Sequence, residues 1–181
     1  YSISFNGEIY NHLALRQRYL ADVPLQTRTD TEVVLRLFAE LGPACVTLLD
    51  GMFALAILDG DDLFLARDPL GIKPLYTGTG AHGMLYFASE IKALAQVTNE
   101  IKAFPPGHWY HSRLGWQQYY TVKTGVQQNG VTAGLPTENI TENTTRIAEK
   151  VTNEDAALPL IRDSLRQAVH KRLMADVPLG V

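Results

Sequence analysis

The sequence holds a single cysteine, Cys45, so no disulfide can form within the chain. Charged residues make up only 19% of its 181 positions and the formal net charge is -3, which excludes a strongly basic surface for nucleic acid or an anionic membrane. No apolar run approaches the roughly 18 residues that a membrane-spanning helix needs. These absences favour a globular protein of a reducing compartment, and we expect a cytoplasmic location.

Nucleotide and metal sites have no support in the sequence either. Neither a G-x-x-x-x-G-K-[ST] nor a G-x-G-x-x-G pattern is present. None of the five histidines has metal-ligand spacing with cysteine or carboxylates. His108 and His111 lie three apart in a predicted strand, so their side chains should face opposite sides of the sheet. We therefore predict no metal site in this chain.

The first fifty residues predict a short strand followed by two helices. Polar and apolar residues alternate in the strand, and the Asn-Gly pair after it is expected to end it. The second helix should begin with a capping box, in which Thr29 is the N-cap and Glu32 stands three residues on. The predicted elements are a strand over 1–5, a helix over 9–20 and a helix from Thr29 to Gly42-Pro43.

From Met52 onward the pattern changes from helical to strand-like. A nearly continuous apolar run, a polar turn and a second short run predict a hairpin that is buried on both faces of its sheet. Many short strands with few helices favour a layered α+β fold over a parallel βαβ sheet. The strands are predicted at 52–58, 63–66, 76–78, 84–88, 108–111 and 116–120, with a short helix at 89–94.

The composition changes after Val122, which predicts a domain boundary. Residues 123–153 are rich in Thr, Asn, Gln, Gly and Glu and poor in aromatics, as expected for a linker or a surface insertion. A helix with one apolar face is predicted from about Asp155. Pro159 fits that helix only if it lies in the first turn, where its missing N–H is not needed. The apolar face consists of Leu158, Ile161, Leu165, Val169 and Leu173.

The segment Asn6-Gly7-Glu8 is suited to holding an oxyanion. A glycine lets a ligand approach the backbone N–H, and the neighbouring amide side chain adds a second donor. The carboxylate of Glu8 beside these donors could hold an ammonium group. The alternative, favoured by spacing alone, is a plain Asn-Gly turn with an exposed Glu.

Three other features have structural explanations. Asp30 is an acidic residue at the start of a helix, where it stabilises the helix dipole. The loop from Arg67 to Tyr76 contains two prolines and a glycine, which fix an irregular backbone, and its charges could form a buried ion pair. Cys45 has small and apolar neighbours, which favours a core thiol over a nucleophile. The loop residues singled out are Arg67, Asp68, Gly71 and Lys73.

Four segments, taken together and in their order along the chain, resemble those of a known family. They are Asn6 to Asn11, Arg67 to Tyr76, Phe87 to Leu94 and Met174 to Val181. These segments resemble the glutamine-hydrolysing asparagine synthetases, which are amidotransferases with an N-terminal nucleophile. The match covers nearly the whole chain apart from residues 123–153. It implies a four-layer αββα sandwich of antiparallel sheets that is incomplete at its N-terminus.

The resemblance also implies site residues and a reaction. A cysteine thiol attacks the side-chain amide of glutamine, with the α-amine of that cysteine as the base. The Asn6 side chain and the Gly7 N–H match the oxyanion donors, while Glu8 and Asp30 match the acids that hold the substrate ammonium. Ammonia then passes to a second domain, where ATP activates aspartate for conversion to asparagine.

The implied division is an amidotransferase domain at 1–122, a linker or insertion at 123–153 and the start of a synthetase domain at 154–181. The expected partner is glutamine, with aspartate, ATP and Mg²⁺ used elsewhere in the parent protein, and a homodimer is compatible with the sequence. No cofactor is expected within this chain.

Parts of the family pattern lie outside the sequence. The nucleophilic cysteine and the arginine that grips the substrate carboxylate are expected before Tyr1, and the Ser-Gly-Gly-x-Asp-Ser loop is expected after Val181. We therefore expect the chain to be cut from a longer protein and to be inactive by itself. Two alternatives stay open: a relative that acts on another carboxylate, and a non-catalytic, glutaminase-like module that binds a partner.

Overall fold

The computed structural model describes residues 1–122 and 154–174, with the backbone alone for 154–156. They belong to two units, residues 1–122 and residues 123–181. The predicted linker at 123–153 and the last seven residues of the fourth resemblance segment lie outside the described residues. Among the described residues, none of the helices has the length and apolarity that crossing a bilayer requires.

The first unit contains two antiparallel sheets, three α-helices and two 3-10 helices, Gly42–Leu48 and Ala81–Gly83. The larger sheet has the order β1-β2-β3-β7-β8, and the smaller sheet has the order β5-β4-β6. The larger sheet is formed by β1 Ser2–Ile9, β2 Gly51–Asp59, β3 Asp62–Arg67, β7 His108–His111 and β8 Gly115–Gln118. The smaller sheet is formed by β4 Tyr76–Thr79, β5 Leu85–Ala88 and β6 Glu100–Ala103. The α-helices are α1 His12–Tyr19, α2 Asp30–Leu41 and α3 Ile91–Leu94.

The core lies in two layers on either side of the larger sheet. Phe53, Leu55 and Ile57 of β2 pack with the buried residues of α1 and α2. The alternating residues Ala54 and Ala56 face the other way and pack with residues of the smaller sheet and its flanks. Both faces of β2 are therefore buried, as its nearly continuous apolar run predicted. The predicted α+β fold with antiparallel sheets is confirmed.

The prediction that Asn6-Gly7 ends the first strand was wrong. The β1–β2 ladder continues through this pair to Ile9, which stands opposite Gly51. A Cβ atom at Gly7 would collide with the Met52 carbonyl oxygen and lie 2.7 Å from the Cα of Phe53. The glycine is needed here because the neighbouring strand comes too close for any side chain, a role that glycine also has inside strands.

The first helix begins later than predicted, at His12, because the strand runs on to Ile9. Asn11 secures the junction through both atoms of its side-chain amide. Its Nδ2 donates to the Leu48 carbonyl at 2.8 Å, and its Oδ1 accepts from the Asp50 N–H at 3.0 Å. The last asparagine of the Asn6 to Asn11 segment therefore ties the end of β1 to the start of β2.

The N-cap of α2 is confirmed, but its capping box is incomplete. The Glu32 N–H donates to the Thr29 hydroxyl at 3.3 Å. The Glu32 carboxylate does not return to Thr29; it accepts from the N–H groups of Gln26 and Thr27 and from the Thr27 hydroxyl. The bond from the Thr27 hydroxyl, followed by the one from Gln26, lowers the pKa of Glu32. The carboxylate thus orders the loop before the helix.

The remaining predictions had mixed outcomes. Both hairpins, β2–β3 and β4–β5, are confirmed. Strand β6 was missed because only one of its four residues is appreciably buried, which leaves no periodic signal.

In the second unit, helix α4 Glu154–Arg172 carries Pro159 in its second turn, so the first-turn prediction was wrong. Because proline has no N–H, one backbone carbonyl of the helix lacks its usual donor. The four predicted apolar residues that lie in α4, and Leu173 just after it, are exposed in the described part of that unit.

Asp68 lies fully buried at the end of β3 and organises the loop that follows. Its Oδ1 accepts from the Leu70 and Ile72 N–H groups, both at 3.0 Å. Its Oδ2 accepts from the Lys73 N–H at 3.0 Å and from the Phe53 N–H of β2 at 3.2 Å. Four backbone donors thus satisfy one buried carboxylate, as the burial of a charge requires.

The Arg67 side chain donates hydrogen bonds to backbone carbonyls of the same loop and of the residue that follows β6. The guanidinium donates to the carbonyls of Lys73, Phe104 and Gly71 at 2.8, 2.6 and 2.9 Å. Gly71 has a φ of +67°, and a Cβ there would lie 2.8 Å from the Pro106 ring. The suggested ion pair between loop charges was wrong, since Arg67 and Asp68 bond to backbone groups instead. The predicted structural role of the loop agrees with these contacts.

Cys45 lies fully buried in the core beneath α2. Burial raises the pKa of its thiol to about 12. A thiol is a nucleophile only as the thiolate, so this residue is unsuited to covalent catalysis. The prediction of a core thiol is confirmed.

We predict that Asp68→Asn destabilises the first unit by about 3 kcal/mol, because two of the four N–H donors would face an NH₂ group instead of an oxygen. Urea titration followed by tryptophan fluorescence measures this, since both tryptophans lie in strands of the larger sheet. Asp22→Asn is the control, because Asp22 is exposed. A loss below about 1 kcal/mol for Asp68→Asn would contradict the importance given to its four bonds.

We predict that Cys45 reacts with a disulfide reagent at pH 8 about 1,000-fold more slowly in the native protein than in urea. A pKa raised from 9.0 to about 12 lowers the thiolate fraction by about that factor, and burial slows access further. Absorbance of the released thiolate measures the rate. Rapid labelling of the native protein would show that Cys45 is accessible and would contradict its place in the core.

Candidate functional site

Asn6 faces a cleft between the two sheets. Its side chain leaves β1 on the same face as Ser4 and lines a cavity of about 170 Å³. Across the cavity, Asn6 Nδ2 approaches the hydroxyl of Ser89, which follows β5, at 3.5 Å. The other walls are apolar residues of β2, Leu75 and the end of β5. The amide therefore lines a cleft whose walls carry the Ser4 and Ser89 hydroxyls as well as apolar side chains.

The Gly7 N–H lies on the outer edge of β1, and contacts on both sides fix this orientation. Phe53 stands opposite Gly7. Its N–H donates to the Asp68 carboxylate and its C=O accepts from the Asp68 N–H, both on the β3 side. Gly7 and Phe53 therefore form a non-hydrogen-bonded pair of the β1–β2 ladder. Two residues on, the Ile9 N–H also points away from β2 and donates to Asp30. No further strand pairs with this edge in the described part of the chain. The Gly7 N–H therefore has no partner within the described sheet.

Asp30 reaches the same stretch of β1 from the start of α2. Its Oδ2 accepts from the Ile9 N–H at 2.9 Å, and its Oδ1 accepts from the Thr31 hydroxyl at 3.4 Å. Glu8 is exposed. Because residues two apart in a strand point to the same side, its side chain lies on the same face of β1 as that of Asn6. The Asp30 carboxylate thus contacts the peptide N–H that follows Glu8.

Of the four predicted site residues, Asn6 lines the cavity, whereas Gly7, Glu8 and Asp30 are not among its lining residues. Asp30 is held against β1 through the Ile9 N–H. The loop residues Arg67, Asp68 and Gly71 do not join them, because they lie beyond β2 and bond to backbone groups. Lys73 contributes its own backbone N–H and C=O to this loop. Within the described segments, no three His, Cys, Asp or Glu side chains gather closely enough to bind a metal ion.

Two residues at this site were not assigned a role from the sequence. Asn11 secures the end of β1, and Ser89 faces Asn6 across the cleft. Both belong to segments that carry the family resemblance, which was the available signal. Their contacts join positions 37 to 83 residues apart, so no local pattern could have assigned them.

Comparison with known proteins agrees with this arrangement. Residues 1–106 match the family described as "Glutamine amidotransferase domain". That region contains β1, α2, the Asp68 loop and Ser89, which together form and support the candidate site.

Curated relatives are similar over almost the whole chain. A probable glutamine-hydrolysing asparagine synthetase of Schizosaccharomyces pombe is 39% identical over 99% of this chain. Asparagine synthetase B of Escherichia coli, also glutamine-hydrolysing, is 40% identical over 99% of it. The chain spans only about 29% of the length of either relative.

Two solved structures share the fold. Glutamine phosphoribosylpyrophosphate amidotransferase from B. subtilis superposes with a TM-score of 0.54 and 25% identity, covering 64% of this chain and 28% of that one. A structure described as the allosteric regulatory enzyme of purine biosynthesis gives a TM-score of 0.55 at 24% identity, covering 65% of this chain and 28% of that one. The glutamine amidotransferase family matches more than half of the residues of this chain, and the solved structures share its fold. The chain therefore belongs to the glutamine amidotransferases.

Proposed function

We propose that this chain is the glutamine-hydrolysing part of a glutamine-dependent asparagine synthetase. The observation that carries the proposal is that the Asn6 amide lines the cavity, the Gly7 N–H points to the outer edge of β1 and Asp30 bonds to the Ile9 N–H of the same strand. The names of the relatives, which align with 99% of the chain, support asparagine synthesis as the use of the ammonia.

In the proposed reaction, a cysteine thiolate attacks the side-chain amide carbon of glutamine. The carbonyl oxygen becomes negative, and the Asn6 Nδ2–H and the Gly7 N–H donate to it. Collapse of this intermediate forms a thioester and breaks the C–N bond, and the cysteine α-amine returns the proton it took from the thiol to the leaving nitrogen, which departs as ammonia. Water then hydrolyses the thioester to glutamate and regenerates the thiol. Cys45 is unsuited to the attack because it is buried and its pKa is raised to about 12. We assign the nucleophile to a cysteine outside these 181 residues.

Glu8 and Asp30 hold the α-ammonium of glutamine in this proposal. Glu8 is exposed beside the two oxyanion donors and can turn toward a ligand there. Asp30 uses one oxygen on the Ile9 N–H, which leaves acceptor capacity on the other. Asp30 therefore has two roles, orienting the backbone that bears Gly7 and neutralising the substrate ammonium.

The ammonia then serves the ATP-dependent amidation of aspartate elsewhere in the complete, cytoplasmic protein. ATP with Mg²⁺ would activate the aspartate carboxylate as an adenylate, which ammonia converts to asparagine. We assign no ATP or Mg²⁺ contact to this chain, since its sequence has no phosphate-binding loop of the G-x-x-x-x-G-K-[ST] kind. A homodimer is compatible with the proposal and is not required by it.

We predict that Asn6→Ala in the full-length protein lowers the glutaminase kcat by about 100-fold or more, because an oxyanion donor is lost. Glutamate release measures the rate, and ammonia-dependent asparagine formation should survive as a test of folding. Asn99→Ala is the matched control, since Asn99 is exposed and lies outside the site. A near-normal rate for Asn6→Ala would refute its role and favour the non-catalytic alternative.

We predict that Glu8→Gln raises the KM for glutamine by about 10- to 100-fold and changes kcat much less. The substitution removes the charge that pairs with the substrate ammonium, and a hydrogen bond to a charged group contributes about 1.5–3 kcal/mol. Steady-state glutamate release gives both constants. Glu40→Gln, at an exposed position of α2, is the control. An unchanged KM would remove Glu8 from the binding site.

A further inference from the structure

The side chain of Asn6 has one described hydrogen-bonding neighbour, the hydroxyl of Ser89. Ser89 lies immediately after β5, so it comes from the smaller sheet, whereas Asn6 belongs to the larger one. The contact joins residues 83 positions apart and spans the cleft that both residues line. Apart from Ser4, the side chains that line the rest of the cavity are apolar, and apolar side chains cannot hold the plane of an amide by hydrogen bonding.

The orientation of this amide matters for the proposed reaction. A carboxamide presents an NH₂ group on one side and a carbonyl oxygen on the other. Rotation about χ2 that turned the oxygen toward the reacting carbonyl would replace a stabilising donor with a repelling acceptor. A hydroxyl that accepts one of the two Nδ2 hydrogens restricts this rotation and leaves the second hydrogen for the oxyanion. Preorganised donors stabilise a transition state because they need no reorientation during the reaction.

We propose that Ser89 is a positioning residue that orients the Asn6 amide for oxyanion stabilisation. The inference rests on the proposed glutaminase function and adds a residue to it. At 3.5 Å the contact is at the long end of hydrogen-bond distances, and bonds of this kind in an unliganded site shorten when the transition state forms. Ser89 then affects the rate of the chemical step, through Asn6, more than it affects the binding of glutamine.

The test compares Ser89→Ala with the parent in the full-length protein, with glutamate release as the readout. The expected result is a kcat lowered by about 3- to 10-fold, with the KM for glutamine changed by less than about 2-fold. Ser112→Ala is the matched control. It removes a hydroxyl that bonds to Asp62 and to the Leu63 N–H, away from the cleft. This control should lower stability without lowering kcat.

A second pair of variants separates the hydroxyl from the shape of the side chain. Ser89→Thr and Ser89→Val have nearly the same volume, and only the first retains a hydroxyl. Any disturbance of packing affects both equally, so the ratio of their kcat values reports the hydroxyl alone. The inference expects the Thr variant to be at least about 3-fold faster than the Val variant. Equal kcat values would overturn it.

The double variant Asn6→Ala/Ser89→Ala distinguishes failure of this inference from failure of the proposed function. If Ser89 acts through Asn6, the double variant should be no slower than Asn6→Ala, because the group that Ser89 orients is already gone. If the two effects multiply, Ser89 acts independently and the positioning role is overturned. If Asn6→Ala itself is as fast as the parent, the proposed oxyanion site is wrong, and the role of Ser89 falls with it.

Discussion

The buried carboxylate of Asp68 accepts four backbone N–H bonds, and much of the first unit depends on them. Three of the donors shape the loop after β3, while the fourth is the Phe53 N–H of the central strand β2. Because Phe53 is committed to Asp68, it cannot bond to Gly7, which stands opposite it. The backbone N–H of Gly7 is thereby directed to the outer edge of β1. A structural charge two strands away thus decides where a proposed oxyanion donor points.

A second constraint acts from the other side of β1. The Asp30 carboxylate at the start of α2 accepts the Ile9 N–H, so the helix holds the outer edge of the strand where the sheet leaves it unpaired. Capping of α2 by Thr29 and ordering of the preceding loop by Glu32 keep Asp30 in place. Glycine at position 7 allows the two strands to approach closely. The candidate site is therefore built on rigid elements rather than on a mobile loop, which suits a preorganised donor pair.

The sequence predicted the elements better than it predicted their contacts. The hairpins and the capped helix were identified because apolar periodicity and capping are local properties. The Asn6-Gly7 pair was expected to end a strand because turn statistics favour it, but pairing with β2 outweighs that preference. The charges of the loop from Arg67 to Tyr76 were suggested to form an ion pair, but Arg67 and Asp68 bond to backbone groups instead. Backbone carbonyl and N–H groups of an irregular loop lack partners in a helix or sheet and therefore bond to side chains. The residue pattern alone does not reveal which backbone groups those are.

The pattern of residues was enough to predict the fold class and the core position of Cys45. The family resemblance identified Asn6, Gly7, Glu8 and Asp30 as site candidates. The three-dimensional arrangement was needed to show that Gly7 directs its N–H outward, that Asp30 bonds to Ile9 and that Ser89 faces Asn6. The reason is physical. Periodicity, caps and burial depend on near neighbours along the chain, whereas the direction of a donor depends on which distant group satisfies the residues around it.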